Sequence, residues 1–251
     1  MIRFQLAFTH TIFTISERSK NEIVKLLGVK DDKVFILPFS MELPSFQQEI
    51  RTPSYFDSLR DRKKIEKRSS YFLLIGSDRE NKNVLNAVLG YINFFKGSDV
   101  LTPDLVIVGQ FSSPYIKKLK DLFYNAGINK AEILGFATAL EYTNLMMGAQ
   151  GVVFLSLYEG FGIPVLEAIA ESKPVLVSKG TICQEIAGPM GIAVDRRKLE
   201  EIVDGYEQLA GFLCYDHLAT LSHLDKYIDT EAGARILEEF LLQKSTKALL
   251  V

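Results

Sequence analysis

The sequence is poor in the residues that cross-link or metallate small domains. It has two cysteines, Cys183 and Cys214, and three histidines among its 251 residues. Two cysteines imply no disulfide framework and fit a reducing compartment. The histidines and cysteines form no cluster with the spacing of a structural zinc site. We therefore expect a cytoplasmic protein without a structural metal.

Long apolar runs and a charge excess are missing as well. No run of about 18 apolar residues occurs, so the sequence offers no candidate membrane span. The first ten residues do not resemble a signal peptide. A net charge of -2 gives no general reason to expect a nucleic-acid partner. One basic stretch, residues 60–68, is compatible with peripheral contact at the inner face of a membrane, although a solvated linker is the favoured interpretation.

The remaining composition predicts a substantial core, because 47% of the residues are hydrophobic. From residue 71 onwards, continuous apolar runs of strand length alternate with amphipathic helical segments. This alternation predicts an α/β fold with a Rossmann-like parallel sheet and helices on both faces. Strands are expected near 71–75, 105–108, 131–134, 151–156, 174–177 and 192–194, with helices near 82–95, 113–126, 138–148, 163–170 and 183–187.

The N-terminal part of the chain has a separate, shorter pattern. Strands are predicted near 11–15 and 34–37, with a helix over 17–28 that Ser16 caps and Gly28 ends. Residues 39 to about 70 lose periodicity and contain Pro44 and Pro53, so we interpret them as a linker. The tail after about residue 198 predicts three helical stretches.

The segment 159–167 is the most informative. Glu159 and Glu167 lie eight residues apart around Gly160-Phe161-Gly162, between an apolar strand and a helix whose first turn contains a proline. A strand, a glycine-containing loop and a helix N-terminus form an anion site. Glu167 is a candidate bidentate acceptor for the vicinal hydroxyls of a ribose, although a carboxylate favoured by the helix dipole is an alternative.

Glu159 precedes the turn, and a carboxylate repels phosphate. We therefore expect Glu159 to face a neutral group rich in hydroxyls, such as a sugar.

A second candidate loop follows the strand at 71–75. It contains Gly76, Ser77, Arg79 and Lys82. A lysine in the first turn of a helix opposes the helix dipole, which favours an anionic partner for Lys82. The alternative interpretation is a polar surface loop.

Two further loops carry weaker signals. Gly135 and Phe136 could line a base or ring, although Thr138 beside them is simply a good helix cap. Residues 178–181 could edge the same pocket, but an ordinary turn is favoured. The absence of a P-loop and of a G-x-G-x-x-G pattern argues against common kinases and NAD enzymes.

Residues 156–170, SLYEGFGIPVLEAIA, resemble the E-x7-E signature of retaining glycosyltransferases of family four, which have the two-domain GT-B fold. The flanking segments 71–76, 133–136, 173–177 and 184–186 are similar to the same family, as is the Lys82-Asn83 pair. The resemblance implies a donor-nucleotide domain over 71–229. It also implies a remnant of the acceptor-side domain over 1–38, a linker over 39–70 and a C-terminal helix, 230–251, that crosses towards the first domain.

The resemblance implies a role for each candidate residue. Glu167 would hold the ribose of a nucleotide diphosphate sugar, UDP- or GDP-linked, and Glu159 would contact the hydroxyls of the donor sugar. Lys82, helped by Arg79, would neutralise the leaving diphosphate. Neither a cofactor nor a metal is expected. The substrate-binding set comprises Gly76, Ser77, Gly135, Phe136, Gly160, Phe161, Gly162, Ile163 and Glu167.

The sequence departs from the family pattern at three points. Ser172 stands where a glycine is usual, and Ser77 stands where a basic residue is frequent, with Arg79 as the candidate replacement. The first domain is almost wholly missing, so the chain is expected to need a second chain, or self-association, before it can transfer a sugar to a glycan, lipid or protein acceptor. Two alternatives stay open at this point, a non-catalytic partner subunit and a protein related to sugar-nucleotide epimerases.

Overall fold

A computed structural model describes residues 10–37, 70–98 and 102–212, together with His223 and Tyr227. The chain divides into two compact units, of which one contains residues 10–37 and the other contains residues 70–212. The predicted linker, apart from Ser70, and the predicted C-terminal helix lie outside the described residues.

The first unit contains a short β-α-β segment. Strand β1 (Ile12–Thr14) pairs in parallel with β2 (Val34–Ile36), and helix α1 (Glu17–Leu27) connects them. Ser16 caps this helix by accepting the backbone N–H of Ser19 at 3.1 Å. Gly28 ends it with φ of +69°, a backbone conformation that glycine adopts without steric cost. Both ends of this helix are as the sequence predicts.

The second unit is built on one six-stranded parallel sheet in the order β5-β4-β3-β6-β7-β8. Its strands are β3 (Tyr71–Ser77), β4 (Asp104–Gln110), β5 (Ala131–Gly135), β6 (Gly151–Phe154), β7 (Val175–Ser178) and β8 (Gly191–Val194). The chain builds outwards from β3 to β5 on one side and then crosses to β6 and builds outwards on the other side. This is the doubly wound Rossmann order, and it confirms the predicted fold class.

The helices described in the second unit cover the sheet. They are α2 (Val84–Gly97), α3 (Ser113–Asn125), α4 (Ala139–Gly148), α5 (Ile163–Ala170), α6 (Ile182–Ala187) and α7 (Leu199–Ala210). Apolar side chains of α2, α3 and α7 pack in one cluster with one face of the sheet. Helices α5 and α6 contact each other, and they contact β6 and β7 respectively.

The core under α2 and α7 is aromatic and fully closed. Tyr91 and Tyr206 are both 0% exposed, with ring centroids 5.7 Å apart in an edge-to-face arrangement. Each hydroxyl finds a backbone acceptor, Tyr91 at Pro103 O (2.8 Å) and Tyr206 at Ala87 O (3.0 Å). Because both polar tips are satisfied, the two rings can be buried at no unpaired-group cost. These contacts pack α2 against α7.

The beginning of α2 corrects one prediction. The helix was expected from about residue 82, but Glu80–Lys82 form a separate 3-10 turn and the α-helix begins at Val84. Between them Asn83 has φ of +53°, in the left-handed region that Asn tolerates better than most residues. A residue in this conformation interrupts a right-handed helix, so the two helical pieces are not continuous. Lys82 therefore ends a turn and is not part of the α-helix.

Candidate functional site

The strand order locates the candidate site before any side chain is considered. Strands β3 and β6 are neighbours at the centre of the sheet, and the connections that leave them run to opposite sides. In doubly wound sheets the crevice outside the carboxyl ends of two such strands is where ligands bind. The loop after β3 contains Lys82, and the loop after β6 contains Glu159.

These two loops meet through an ion pair. Lys82 Nζ lies 2.5 Å from Glu159 Oε1, and the exposed fractions of the two side chains are 24% and 16%. The Lys82 ammonium also lies 5.2 Å from the centroid of the Phe154 ring, at cation–π distance. The structure therefore brings together two residues that were predicted to contact neighbouring parts of a donor, Lys82 the diphosphate and Glu159 the sugar. The anionic partner of Lys82 in this structure is Glu159.

Backbone contacts hold the two loops in place beside this pair. The N–H of Leu157 donates to Asn81 O at 2.7 Å, and Asn81 Nδ2 donates to Tyr158 O at 3.4 Å. On the other side, Asn83 Nδ2 donates to Arg196 O at 3.0 Å. The position of Lys82 is thus fixed by its two asparagine neighbours. Sequence reasoning paired Lys82 with Asn83 by resemblance only and assigned Asn81 no role.

Gly76 is required by packing. A Cβ at this position would lie 2.3 Å from Val84 Cγ2, so a side chain here would displace the first residue of α2. The family resemblance placed Gly76 in the substrate-binding set. The internal contact gives an independent reason for glycine at this position and leaves the ligand role a prediction.

The glycines of the 159–167 loop have different surroundings. Gly160 is exposed, while Gly162 is buried and has φ of +104°. A Cβ on Gly162 would lie 2.8 Å from Cys183 Sγ on α6, so both conformation and space require glycine there. Phe161 is only 7% exposed, whereas Ile163 is 39% exposed. The side chain of Phe161 is thus part of the packed structure, and only the backbone at this position is available to a ligand.

Helix α5 begins without a side-chain cap, and Pro164 is its second residue as predicted. Pro164 has no N–H, while Val165 and Leu166 donate their N–H groups to Gly162 O at 2.9 and 3.4 Å. The backbone N–H groups of Gly162 and Ile163 therefore lie at an uncapped, positive helix end. Such a helix end favours a bound anion.

Glu167 is the fifth residue of α5, and its carboxylate has a partner that the sequence did not reveal. The Tyr142 hydroxyl donates to Glu167 Oε2 at 2.7 Å. Burial raises the pKa of Glu167 above its ordinary value, and the Tyr142 hydrogen bond lowers it in part. Burial, followed by the Glu167 charge, raises the pKa of Tyr142, so this phenol stays a donor at all ordinary pH values. No sequence signal distinguishes Tyr142 from an ordinary helix residue.

The Gly135 and Phe136 loop leads directly into the helix that carries Tyr142. Gly135 has φ of +71°, no heavy atom lies within 4 Å of the position that a Cβ would take there, and the Phe136 side chain is 69% exposed. Thr138 forms a capping box with Glu141, whose backbone N–H lies 3.3 Å from Thr138 Oγ1. The capping interpretation of Thr138 is confirmed. The Phe136 ring beside it is exposed and therefore accessible to a ligand, and its role in lining a base stays a prediction.

The remaining candidates lie on the loops that follow β3 and β7. Ser77 is the last residue of β3, and Arg79 is exposed on the same loop. Within the described part of the chain, no hydrogen bond or ion pair joins the Arg79 side chain to Lys82 or Glu159. Residues 178–181 form a turn closed by its own hydrogen bonds, Thr181 Oγ1 to Ser178 O at 2.7 Å and Gly180 N–H to Gln184 Oε1 at 2.6 Å.

Cys183 of α6 is buried beside Gly162. Burial, and then the nearby Glu159 charge, raise the pKa of its thiol to about 12. A thiol held neutral in this way is not a nucleophile. Its role beside Gly162 is to fill space.

None of the helices in the described ranges has the length and apolar character needed to cross a membrane.

Three comparisons with known proteins indicate which family this chain belongs to. The family model of the group 1 glycosyl transferases matches residues 56–210, which is more than half of the chain. This range contains β3 to α7 and therefore every candidate residue.

Curated relatives agree with this family. The O-antigen chain mannosyltransferase RfbU of Salmonella typhimurium is 23% identical over 205 residues, which are 79% of this chain and 51% of the relative. An uncharacterised glycosyltransferase of Methanocaldococcus jannaschii is 31% identical over 180 residues, 66% of this chain and 42% of the relative. The chain spans about half the length of the curated relatives it matches.

Solved structures show the same fold at low identity. A glycosyltransferase of Rickettsia africae superposes with a TM-score of 0.77 at 18% identity, covering 92% of this chain and 63% of that one. Anabaena HepE, solved in complex with UDP and glucose, superposes with a TM-score of 0.71 at 16% identity, covering 95% and 65%. These neighbours are GT-B glycosyltransferases. With the fold, the crevice and the family match in agreement, this chain belongs to the group 1 glycosyl transferases.

Proposed function

We propose that this chain is the donor-binding half of a retaining glycosyltransferase of family four. In this proposal it binds a UDP- or GDP-linked sugar, and the sugar passes to a glycan, lipid or protein acceptor. The relatives named above include a mannosyltransferase and a protein solved with UDP and glucose, which makes mannose and glucose the first donor sugars to test.

The ion pair between Lys82 and Glu159 is the observation that carries the proposal. It places a cation and a hydrogen-bond acceptor 2.5 Å apart on the loops that follow the central strands β3 and β6. A nucleotide diphosphate sugar has a matching junction, where the outer phosphate meets the sugar. With a donor bound at this position, Lys82 would neutralise the charge that develops on the leaving diphosphate. Glu159 would accept hydrogen bonds from the hydroxyls of the sugar.

Neighbouring residues offer contacts to the other parts of such a donor, its diphosphate and its ribose. The uncapped start of α5 offers the N–H groups of Gly162 and Ile163 to a diphosphate. Glu167 lies one turn further along the same helix, where its free oxygen can accept ribose hydroxyls. Lys82 and the helix end already supply positive charge, so we propose that transfer needs no metal ion.

We further propose that activity requires a second chain or self-association. In the first unit the described strands β1 and β2 form a two-stranded sheet, and Phe13, Ile15 and Phe35 are 38%, 37% and 37% exposed. Within the described residues, each of these two strands has one edge that no other strand pairs with, and such an edge can pair with another chain. We also propose a cytoplasmic location at the inner face of the membrane. Such a location would suit a lipid acceptor.

Calorimetry on the purified chain with UDP, GDP, UDP-glucose and GDP-mannose, in EDTA, tests donor binding. At least one nucleoside diphosphate should bind, and at 100 times its Kd it should stabilise the fold by about 2.7 kcal/mol. Glu167→Ala should weaken binding by about 1–3 kcal/mol because ribose hydroxyls lose their acceptor. Asp121→Ala, on the distant helix α3, is the matched control and should bind normally. If none of the four ligands binds, the proposal is wrong.

A second assay separates the alternatives. Labelled UDP-glucose or GDP-mannose is incubated with the chain alone and with candidate partner chains, and light scattering gives the mass of the species present. Transfer that appears only in an oligomer or with a partner supports the proposal. Multiple-turnover transfer by a monomer contradicts the need for a second chain. A changed sugar nucleotide without any acceptor indicates an epimerase, and binding without transfer in every combination indicates a non-catalytic subunit.

A further inference from the structure

Glu167 is held by one contact that the proposed function does not require. Tyr142 lies on α4, which follows β5, and Glu167 lies on α5, which follows β6. The hydroxyl of Tyr142 donates to Glu167 Oε2 at 2.7 Å, a length typical of a hydrogen bond to a charged acceptor. The two residues are 25 positions apart in the sequence, so the contact depends on how the helices pack.

This contact distinguishes the two oxygens of the carboxylate. Oε2 is occupied by the phenol, while no group in the described ranges donates to Oε1. Both side chains are half-buried, and rotation of the carboxylate about its long axis would break the bond to Tyr142. The carboxylate plane is therefore fixed, and Oε1 together with the second lone pair of Oε2 is left available for an incoming ligand.

A vicinal diol needs such an arrangement. Two adjacent hydroxyls of a ribose can both donate to a carboxylate only if its plane is oriented towards them. A freely rotating glutamate would lose side-chain entropy on binding the diol, whereas a glutamate already fixed by a neighbour loses less. The partner that fixes it must be a donor to the carboxylate, and the phenol of Tyr142 is such a donor.

We propose that Tyr142 is a positioning residue that orients Glu167 so that this site selects ribonucleotides over deoxyribonucleotides. The inference rests on the proposed function, since it assigns Glu167 to the ribose. Tyr142 itself does not touch the nucleotide. Its effect is confined to ligands that carry the 2′ and 3′ hydroxyls.

Tyr142→Phe tests this directly, because it removes the hydroxyl and keeps the ring. The Kd values of UDP and GDP, and of their 2′-deoxy analogues, are measured for both proteins by calorimetry. We expect the variant to bind the ribonucleotides about tenfold more weakly, by analogy with the loss seen when an outer hydrogen bond to a ligating side chain is removed. Binding of the deoxy analogues should change by less than about twofold, so the ratio between the two ligand classes should fall.

A matched control and a double variant complete the test. Tyr124→Phe removes the hydroxyl of a tyrosine that is 85% exposed on α3, and it should leave all four Kd values unchanged. In a Glu167→Gln background, Tyr142→Phe should have little further effect, because the carboxylate on which it acts is gone.

The outcomes separate this inference from the proposed function. If the unaltered chain binds UDP or GDP and Tyr142→Phe leaves the ribose preference intact, the inference is overturned while the proposed function stands. Equal losses for ribonucleotides and deoxyribonucleotides would also overturn it, since they indicate a general disturbance of the helix packing. If the unaltered chain binds neither nucleotide, the proposed function itself fails.

Discussion

The ion pair between Lys82 and Glu159 leads to a prediction about product binding. A nucleoside diphosphate, the product left after sugar transfer, offers phosphate to Lys82 but no sugar hydroxyl to Glu159. To bind it, Lys82 must exchange its present partner, while Glu159 is left facing negative charge. We therefore predict that Glu159→Gln binds the free diphosphate more tightly than the unaltered protein does, although the substitution removes the ion-pair partner of Lys82.

The structure sets the size of this effect. The two side chains are 24% and 16% exposed, so the pair lies between an exposed ion pair, worth about 0–1 kcal/mol, and a buried one, which costs about 3–5 kcal/mol to break. We take about 1–2 kcal/mol for the interaction that product binding must give up. Since about 1.4 kcal/mol is tenfold in affinity, Glu159→Gln should bind UDP or GDP about five to thirty times more tightly.

Calorimetry with the diphosphate and with the matching nucleotide sugar is the assay. The nucleotide sugar should gain less than the free diphosphate, because the neutral amide of the variant accepts hydrogen bonds from the sugar hydroxyls less well than the carboxylate does. The control is Asp121→Asn, which breaks the exposed Lys117–Asp121 pair of 2.9 Å and should leave both affinities unchanged. In a Lys82→Ala background the gain from Glu159→Gln should shrink. An unchanged or weaker affinity for the free diphosphate would refute the reasoning.

Three further predictions follow from the same geometry. Lys82→Ala should weaken binding of UDP or GDP, measured by calorimetry, far more than binding of the free nucleoside. In a reconstituted enzyme the same substitution should lower kcat by about 10²–10³-fold. Equal losses of affinity for nucleoside and diphosphate would assign Lys82 to folding. Ser172→Gly should raise the free energy of unfolding by up to about 1 kcal/mol in urea titrations, because Ser172 has φ of +58°, whereas Ser113→Gly at the start of α3 should lower it. Glu167→Gln should stabilise the ligand-free protein at pH 7 while weakening nucleotide binding, because burial raises the folded-state pKa of Glu167 and so penalises the ionised form. The Glu167 carboxyl then holds its proton more tightly in the folded state than in the unfolded state. Its destabilising effect is therefore complete above the folded-state pKa and disappears as the pH falls below the unfolded-state pKa. A stability difference between Glu167→Gln and the unaltered protein that does not shrink on acidification would contradict this assignment.

Ser172 also shows how a departure from the family pattern acquires a physical meaning. The N–H of Ser172 donates to Ile169 O at 3.0 Å, and the N–H of Lys173 donates to Ala168 O at 2.9 Å. These two bonds form a Schellman motif at the end of α5, which requires the left-handed conformation at Ser172. Glycine adopts this conformation without steric cost, so the structure explains why a glycine would be expected there.

Local features were predictable from the sequence because they depend on near neighbours. The alternation of apolar runs predicts the strands. Ser16, Gly28 and Thr138 predict helix ends, and the structure has helix ends at these residues. The turn at 160–162 and the proline-containing start of α5 were likewise readable, since glycine and proline restrict the backbone by their own chemistry. The start of α2 was misplaced because no local rule required the left-handed conformation of Asn83.

The site contacts were decided only by the tertiary structure. Lys82 and Glu159 are 77 residues apart, and they meet because the chain crosses the sheet after β5 and returns beside β3. Alternating strands and helices are compatible with several strand orders, and only some of them make β3 and β6 neighbours. The contact of Tyr142 with Glu167 depends on the same crossover. The sequence by itself thus determined which elements form and which residues could bind an anion or a ribose, while long-range packing decided which of those residues face one another.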